Sequence, residues 1–205
     1  MSKELIILHG KPGSGKTSTA GFALGRASLD RFDEVNHLSV GSHLRAIAQG
    51  QYDSCFYDAL TGDSQALRSA QPVSHDVVNG VVGEYLRRTR SRSFTLVDGY
   101  PKYQEQIPPF QENVRSAGGN ILAVVGIEVP DEVAVARMIG RGTRPGEEAI
   151  AADFATSRLE EHATGYAVTA GVMADMYPAH TIDGVPSQEV VAEHLAYLIS
   201  EITHQ

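Results

Sequence analysis

The stretch GKPGSGKT, residues 10–17, decides the fold of this chain. It matches the pattern G-x-x-x-x-G-K-[ST], follows the apolar run Leu5 to Leu8 and begins a helical pattern at Lys16. Glycines let backbone N–H groups curl around phosphate oxygens, and the helix directs its N-terminal dipole at the same anion. We expect Lys16 to reach the β- and γ-phosphates of ATP and Thr17 to ligate Mg²⁺. The motif predicts nucleoside triphosphate binding but leaves the reaction open, and a purely structural glycine-rich turn is the alternative.

Composition and charge set the limits for the class of protein. The chain has 205 residues, 42% hydrophobic and 20% charged, which is typical of one globular domain. Its net charge of −8 argues against binding to nucleic acid or to anionic membranes. The single cysteine, Cys55, excludes an internal disulfide and a four-cysteine zinc site. Because the first apolar run has only four residues, we expect no signal peptide or membrane span and a cytoplasmic location.

Short apolar runs alternate with longer helical patterns along the chain. The expected strands are Leu5 to Leu8, Val35 to Val40, Phe94 to Val97, Ile121 to Ile127 and His180 to Ile182. The expected helices are Lys16 to Ser28, Ser74 to Arg88, one from Asp131, two between Glu147 and Met176, and one after Ser187. We expect Pro108 and Pro109 to break the segment after Lys102. Apolar runs separated by helices predict an α/β fold whose parallel sheet is covered on both faces.

Four motifs in the same order as in a known family extend this interpretation. The loop reads GKPGSGK, residues 39–45 read SVGSHLR, and residues 98–102 read DGYPK with Gln106 four positions later. A fourth motif, VPD followed by R-x-x-G-R, ends at Arg141. Together they resemble the adenylate kinase and nucleoside monophosphate kinase family. The resemblance implies a P-loop NTPase fold in one domain, with five parallel strands between helices, an acceptor-side insertion near 41–75 and a short lid near 142–152.

The resemblance also implies the roles of individual residues. ATP would be bound by Gly10, Pro12, Gly13, Ser14, Gly15, Lys16, Thr17, Ser18, Arg137 and Arg141. The acceptor would be bound by Val40, Gly41, Arg45, Val73, Gly99, Lys102 and Gln106. Catalysis would depend on Lys16, Asp98, Arg141, Arg144 and Arg158, with Arg144 and Arg158 reaching the transferring phosphoryl group. Mg²⁺ would be held by Thr17 and, through water, by Asp98.

Simpler interpretations of the same residues stay open at this stage. Each arginine could be a solvated surface residue, and Lys102 an exposed loop lysine. Asp98 followed by glycine could be only a turn-forming pair.

Three positions depart from the family pattern, all on the acceptor and metal side. Val40 replaces a threonine that contacts the adenine of AMP, and valine can neither donate nor accept a hydrogen bond. Ser42 replaces an aspartate that helps to hold Mg²⁺ through water, and a hydroxyl is the weaker ligand. Lys102 replaces an arginine that grips the acceptor phosphate, and lysine lacks the planar fork. The donor site therefore looks ordinary, while the acceptor need not be AMP.

Three functional hypotheses follow from these observations. The first is an ATP-dependent phosphotransferase that acts on a nucleoside monophosphate with Mg²⁺ as cofactor. The second keeps the same scaffold but changes the acceptor to an unusual nucleotide or a small metabolite. The third is a nucleotide-binding module with little turnover. In each case we expect small-molecule partners, no nucleic acid, no membrane, and a monomer.

Overall fold

The sheet is built from five parallel strands. The computed structural model describes residues 2–62, 73–140 and 152–204. The strands are β1 (Lys3–His9), β2 (Glu34–Ser39), β3 (Ser93–Asp98), β4 (Gly119–Glu128) and β5 (Ala179–Asp183). They are arranged in the order β2-β3-β1-β4-β5, and every pairing is parallel. The expected α/β fold with a five-stranded parallel sheet is confirmed.

Helices cover both faces of this sheet. They are α1 (Lys16–Leu24), α2 (Val40–Ala48), α3 (Tyr57–Gly62), α4 (His75–Arg88), α5 (Ile107–Ser116), α6 (Asp131–Gly140), α7 (Ala152–Glu161), α8 (Ala167–Met176) and α9 (Gln188–Thr203). A short 3₁₀ helix (Gln104–Gln106) precedes α5, and a π-helical turn (His162–Tyr166) joins α7 to α8. Among the described residues, no helix is both long and apolar enough to span a membrane.

The buried apolar residues form one cluster on each face of the sheet. One cluster joins α1 and α9 to the sheet through residues such as Ala20, Leu195 and Ile199. The other joins α2, α4, α5 and α8 to the opposite face, with Phe110 and Met173 among its members. Because central strands covered on both sides are largely apolar, the continuous runs in the sequence predicted β1, β3 and β4 correctly.

Several expected boundaries are wrong, for local reasons. Helix α1 ends at Leu24 rather than Ser28, because Gly25 follows it and is a poor helix former. Pro108 and Pro109 lie in the first turn of α5, where missing N–H donors cost nothing, so they begin a helix instead of breaking a segment. The expectation of two helices between Glu147 and Met176 is correct, and the π-helical turn that joins α7 to α8 contains Gly165.

The carboxyl ends of β1, β2 and β3 lie at the same edge of the sheet. Leu8 of β1 lies beside Asp98 of β3, and Ser39 of β2 lies on the other side of the same aspartate. The three loops that follow these strands therefore face one cleft. Residues 63–72 of the expected insertion and 142–151 of the expected lid lie outside the described residues, as do Arg141 and Arg144.

Candidate functional site

The phosphate loop has the backbone that its glycines predict. Gly10, Gly13 and Gly15 all have positive φ angles, of 147°, 81° and 92°. A β-carbon on Gly13 would lie only 2.3 Å from the carbonyl oxygen of Ala134, so the loop fits closely against α6. The loop leads into α1 at Lys16, and Ser18 in the first turn donates to the carbonyl of Gly15 at 2.9 Å. The curled loop at the helix N-terminus is suited to an anion.

The side chain of Lys16 folds back over this loop. Its ammonium group donates to the carbonyl oxygens of Gly10 and Lys11, the latter at 3.0 Å, and lies 3.4 Å from the hydroxyl of Ser14. The loop is also anchored to α6 by an ion pair between Lys11 and Asp131. An ammonium group held over the loop carbonyls is positioned to move onto phosphate oxygens, which are stronger acceptors.

Asp98 ends β3 beside the loop and is ionised. It is buried, and its carboxylate accepts a hydrogen bond of 2.5 Å from the hydroxyl of Thr17. Burial alone would raise its pKa, but His37, the charge of Lys16 and the Thr17 hydroxyl outweigh burial and lower the pKa below its ordinary value. The Nε2 atom of His37 lies 3.7 Å from the carboxylate.

A hydroxyl and a carboxylate are oxygen ligands of the kind that Mg²⁺ prefers, so Thr17 and Asp98 fit this ion together with substrate phosphates. Among the described residues, no group of three or more His, Cys, Asp or Glu side chains could hold a metal ion. A metal site here would therefore depend on oxygens from the substrate as well as from the chain.

The loop after β3 is held in place by the side chain of Gln106. The Oε1 atom of Gln106 accepts hydrogen bonds from the backbone N–H groups of Lys102, at 2.8 Å, and of Tyr103, at 3.3 Å. The Gln106 side chain is buried, while Gly99 adopts a φ of 81° in open space. The peptide bond between Tyr100 and Pro101 is cis. The position expected to face the acceptor thus caps the loop that carries Lys102.

The charge on Lys102 is influenced by two arginines from other elements. Lys102 is solvent-exposed, yet desolvation by the surrounding loops and then the charge of Arg158 lower its pKa, with Arg45 adding to this effect. Glu161 and Asp98 oppose the shift. Lys102 therefore lies within electrostatic range of Arg45 and Arg158, and also of Asp98, which accepts a hydrogen bond from Thr17 of the phosphate loop.

Of the other residues that were expected to bind the acceptor, some lie at the surface of the cleft and others lie in the hydrophobic core. Val40 begins α2 with only 3% of its surface exposed, and both Val40 and Val73 pack in the hydrophobic core. Gly41 is exposed next to the guanidinium of Arg45. The hydroxyl of Ser42 accepts from Arg45 at 3.3 Å and lies 3.2 Å from that of Ser39.

Arg137 on α6 is held at the donor side of the cleft. Its guanidinium donates to the carbonyl oxygens of Gly184, at 2.8 Å, and Val185, at 3.0 Å, just after β5. These bonds fix the plane of the guanidinium, which leaves its face available for stacking. The expected contact with a base stays a prediction.

The sequence interpretation missed four aromatic residues at this site. His37 was missed although strand register places it near Asp98, on the same face of the sheet. His9, Tyr166 and His162 form a series of tilted and edge-to-face ring contacts, here called the ring stack, that begins directly before the phosphate loop. The position of His9 directly before Gly10 was a usable signal, but nothing in the sequence connects it to residues 150 positions away.

Comparisons with known proteins agree with this geometry. A family model described as an AAA domain matches residues 9–154. The adenylate kinase of Symbiobacterium thermophilum is 30% identical over 140 residues, which cover 66% of this chain and 58% of that protein. The adenylate kinase of Flavobacterium johnsoniae is 25% identical over 203 residues, covering 96% of this chain and 98% of that protein. Adenylate kinase 1 of a Nostoc species is 27% identical over 190 residues, covering 93% and 95%.

Proposed function

This chain belongs to the AAA-domain family and is an adenylate kinase-like P-loop phosphotransferase, and we propose that it transfers the γ-phosphoryl group of ATP to a nucleoside monophosphate. The observation that carries the proposal is the presence of a second cationic group opposite the phosphate loop. The charges of Arg158, Arg45 and Asp98 all act on Lys102, and Asp98 is bonded to Thr17 of the phosphate loop, which supports a second group of positive charges for a second phosphorylated ligand. A simple ATPase needs only one such group.

The proposed reaction depends mainly on positioning and on charge. The phosphate loop and Lys16 would hold the ATP phosphates, while Lys102 and Arg45 would hold the acceptor phosphate in line with the γ-phosphorus. Arg158 would neutralise charge that develops on the transferring group. Thr17 and Asp98 would hold Mg²⁺, which supplies charge neutralisation at the β- and γ-phosphate oxygens when it is bound. Arg141 and Arg144, with the short lid near 142–152, would complete the enclosure and exclude water.

A first experiment measures ADP release from Mg-ATP with a panel of acceptors. The panel contains AMP, CMP, UMP, GMP, dTMP and small metabolites with and without phosphate, and Lys16→Ala is the blank. We expect turnover that requires one or two monophosphates. Lys102→Met should raise the KM for the acceptor while leaving ATP affinity unchanged, because it removes charge from the acceptor side only. Tight ATP binding without acceptor-dependent ADP release would instead indicate a binding module.

A second candidate acceptor class is favoured by the burial of Val40 and the bonding of Gln106. The Val40 side chain lies in the core and cannot hydrogen-bond, and the Gln106 carbonyl oxygen is already bonded to the backbone, so of these two residues only the amide N–H groups of Gln106 remain to recognise a base. An unusual nucleotide or a small phosphorylated metabolite would not need them. The double variant Ser42→Asp with Lys102→Arg restores the family residues beside the acceptor. If AMP phosphorylation does not rise in that variant, a non-AMP acceptor is supported.

A further inference from the structure

Two buried polar side chains beneath the phosphate loop have no hydrogen-bond partner. His9, the last residue of β1, is only 3% exposed, and neither of its ring nitrogens is bonded. Tyr166 is 7% exposed, and its hydroxyl is equally unbonded. Such groups are rare in folded proteins because an unsatisfied buried polar atom is costly. Their position side by side at the floor of the cleft points to a polar site rather than to two separate packing defects.

The two side chains belong to the ring stack of His9, Tyr166 and His162. The rings of His9 and Tyr166 have centroids 5.0 Å apart at 57°, and those of Tyr166 and His162 are 5.0 Å apart at 71°. His162 and Tyr166 begin and end the single π-helical turn between α7 and α8. Turns of this kind occur often at functional sites, where they re-aim side chains. Here the turn aligns both rings over the end of β1.

His162 is the last ring of the stack. It is half-buried and lies within electrostatic range of Lys16, Lys11 and Lys102. Burial, followed by the charges of Lys16 and Lys11, lowers the pKa of His162 to about 4, and Lys102 adds to this effect. Asp131 opposes it. The imidazole is therefore neutral at pH 7, with one N–H donor. It lies within electrostatic reach of ammonium groups on both the donor and the acceptor side of the cleft.

We propose that His162 is a further phosphate-contacting residue, which donates a hydrogen bond from its ring to a phosphate oxygen of the bound nucleoside triphosphate. The proposal rests on the proposed function, since that function supplies the nucleotide. Tyr166 holds the imidazole in this orientation through an edge-to-face contact, and His9 supports Tyr166 from below. Lys16 and Lys11 attract the anion, while the imidazole adds a directional donor that a lysine does not provide.

The experiment compares phosphate binding in matched variants by isothermal titration calorimetry. His162→Phe keeps a ring against Tyr166 but removes the nitrogens, and His162→Gln keeps a donor of different reach. His194→Gln is the control, at an exposed position on α9. Each protein is titrated with ATP, with tripolyphosphate and with adenosine. We expect His162→Phe to bind ATP and tripolyphosphate about tenfold more weakly or worse, with adenosine unaffected, because hydrogen bonds to charged groups are the strong ones. The affinity of His162→Gln for ATP and tripolyphosphate should lie between those of the wild type and His162→Phe.

Separate outcomes test this proposal and the proposed function. Phosphate binding requires neither an acceptor nor turnover, so a kinase assay that fails for every acceptor leaves this test intact. Equal affinity of wild type and His162→Phe for tripolyphosphate overturns the role of His162, even if the enzyme is an active kinase. Equal weakening by His162→Phe and His194→Gln also overturns it. If the variants do not fold, the imidazole C2 proton of His162 in the wild type should shift on addition of tripolyphosphate, and an unchanged signal refutes the contact.

Discussion

The buried imidazole of His9 leads to a quantitative prediction about stability in acid. Burial, then the positive charges of Lys16 and His162, lower the pKa of His9 from its ordinary value of 6.5 to about 3, with Asp98 opposing. In the unfolded chain the same side chain is solvated and titrates near its ordinary value. Between these two values the unfolded state binds a proton that the folded state does not. Stability therefore falls as the pH is lowered through this window.

The size of the effect follows from the difference between the pH and the pKa of His9 in the unfolded chain. At pH 5, about 1.5 pH units below that value, the proton costs the folded state about 2 kcal/mol, at 1.36 kcal/mol per unit. At pH 7 the same contribution is close to zero. Because pH 5 lies well above the pKa of His9 in the folded protein, this loss of stability depends on the pKa of His9 in the unfolded chain. Replacing the imidazole with an apolar side chain of similar volume removes this loss.

The assay measures the free energy of unfolding by urea titration at pH 7 and at pH 5 for wild type and His9→Leu. Relative to wild type, the variant should gain about 2 kcal/mol between the two pH values, or about 4–8 °C in Tm for a chain of this size. His194→Leu, at an exposed position on α9, is the matched control. A constant difference between wild type and His9→Leu at both pH values would refute a neutral buried imidazole. The same gain in the control would refute the assignment to His9.

Three further predictions concern the loops and a helix cap. Gln106→Leu should cost about 2–6 kcal/mol by leaving two backbone N–H groups of the loop unbonded, which thermal unfolding would detect, and Gln106→Glu should recover most of it. Gly13→Ala should weaken ATP binding at least tenfold, because the new β-carbon would clash with the carbonyl oxygen of Ala134. Gly118→Ala is the control: Gly118 has a similar φ of 73° but lies in open space, so this substitution should lower only the stability. Ser187→Ala should lower Tm by about 2–4 °C through loss of the N-cap of α9, and no change would contradict the cap.

The strands and helix caps were predictable because their signals are local. Continuous apolar runs identify β1, β3 and β4, short apolar stretches indicate β2 and β5, and the helix expected after Ser187 is α9, which Ser187 caps. The errors have tertiary causes. By themselves, Pro108 and Pro109 predict a break in helical structure. In the structure they lie in the first turn of α5, directly after the 3₁₀ helix, and so they begin a helix. A π-helical turn likewise has no signature in a single sequence.

The site was predictable only where a motif fixes the geometry. The phosphate loop and the placement of Asp98 beside Thr17 follow from motifs at strand ends. The ring stack does not, since its members are about 150 residues apart and meet only through the fold. Gln106 illustrates a different limit: the motif identified the position, but only the structure shows its carbonyl oxygen capping the loop.

The departures on the acceptor side have a common physical consequence. Val40 is buried and cannot hydrogen-bond, and Ser42 is bonded to Arg45, so these two positions support the pocket instead of contacting a base. A pocket with few hydrogen-bonding groups for a base discriminates poorly between bases, because strong rejection requires a buried polar group that the wrong ligand leaves unpaired. Charge then has to select the acceptor. A lysine suits that task, since an ammonium group on a flexible stem can follow a phosphate whose position varies with the rest of the ligand, whereas the planar fork of arginine demands one orientation. Lys102 beside Arg45 combines the two, which favours selection of the acceptor by its phosphate before its base.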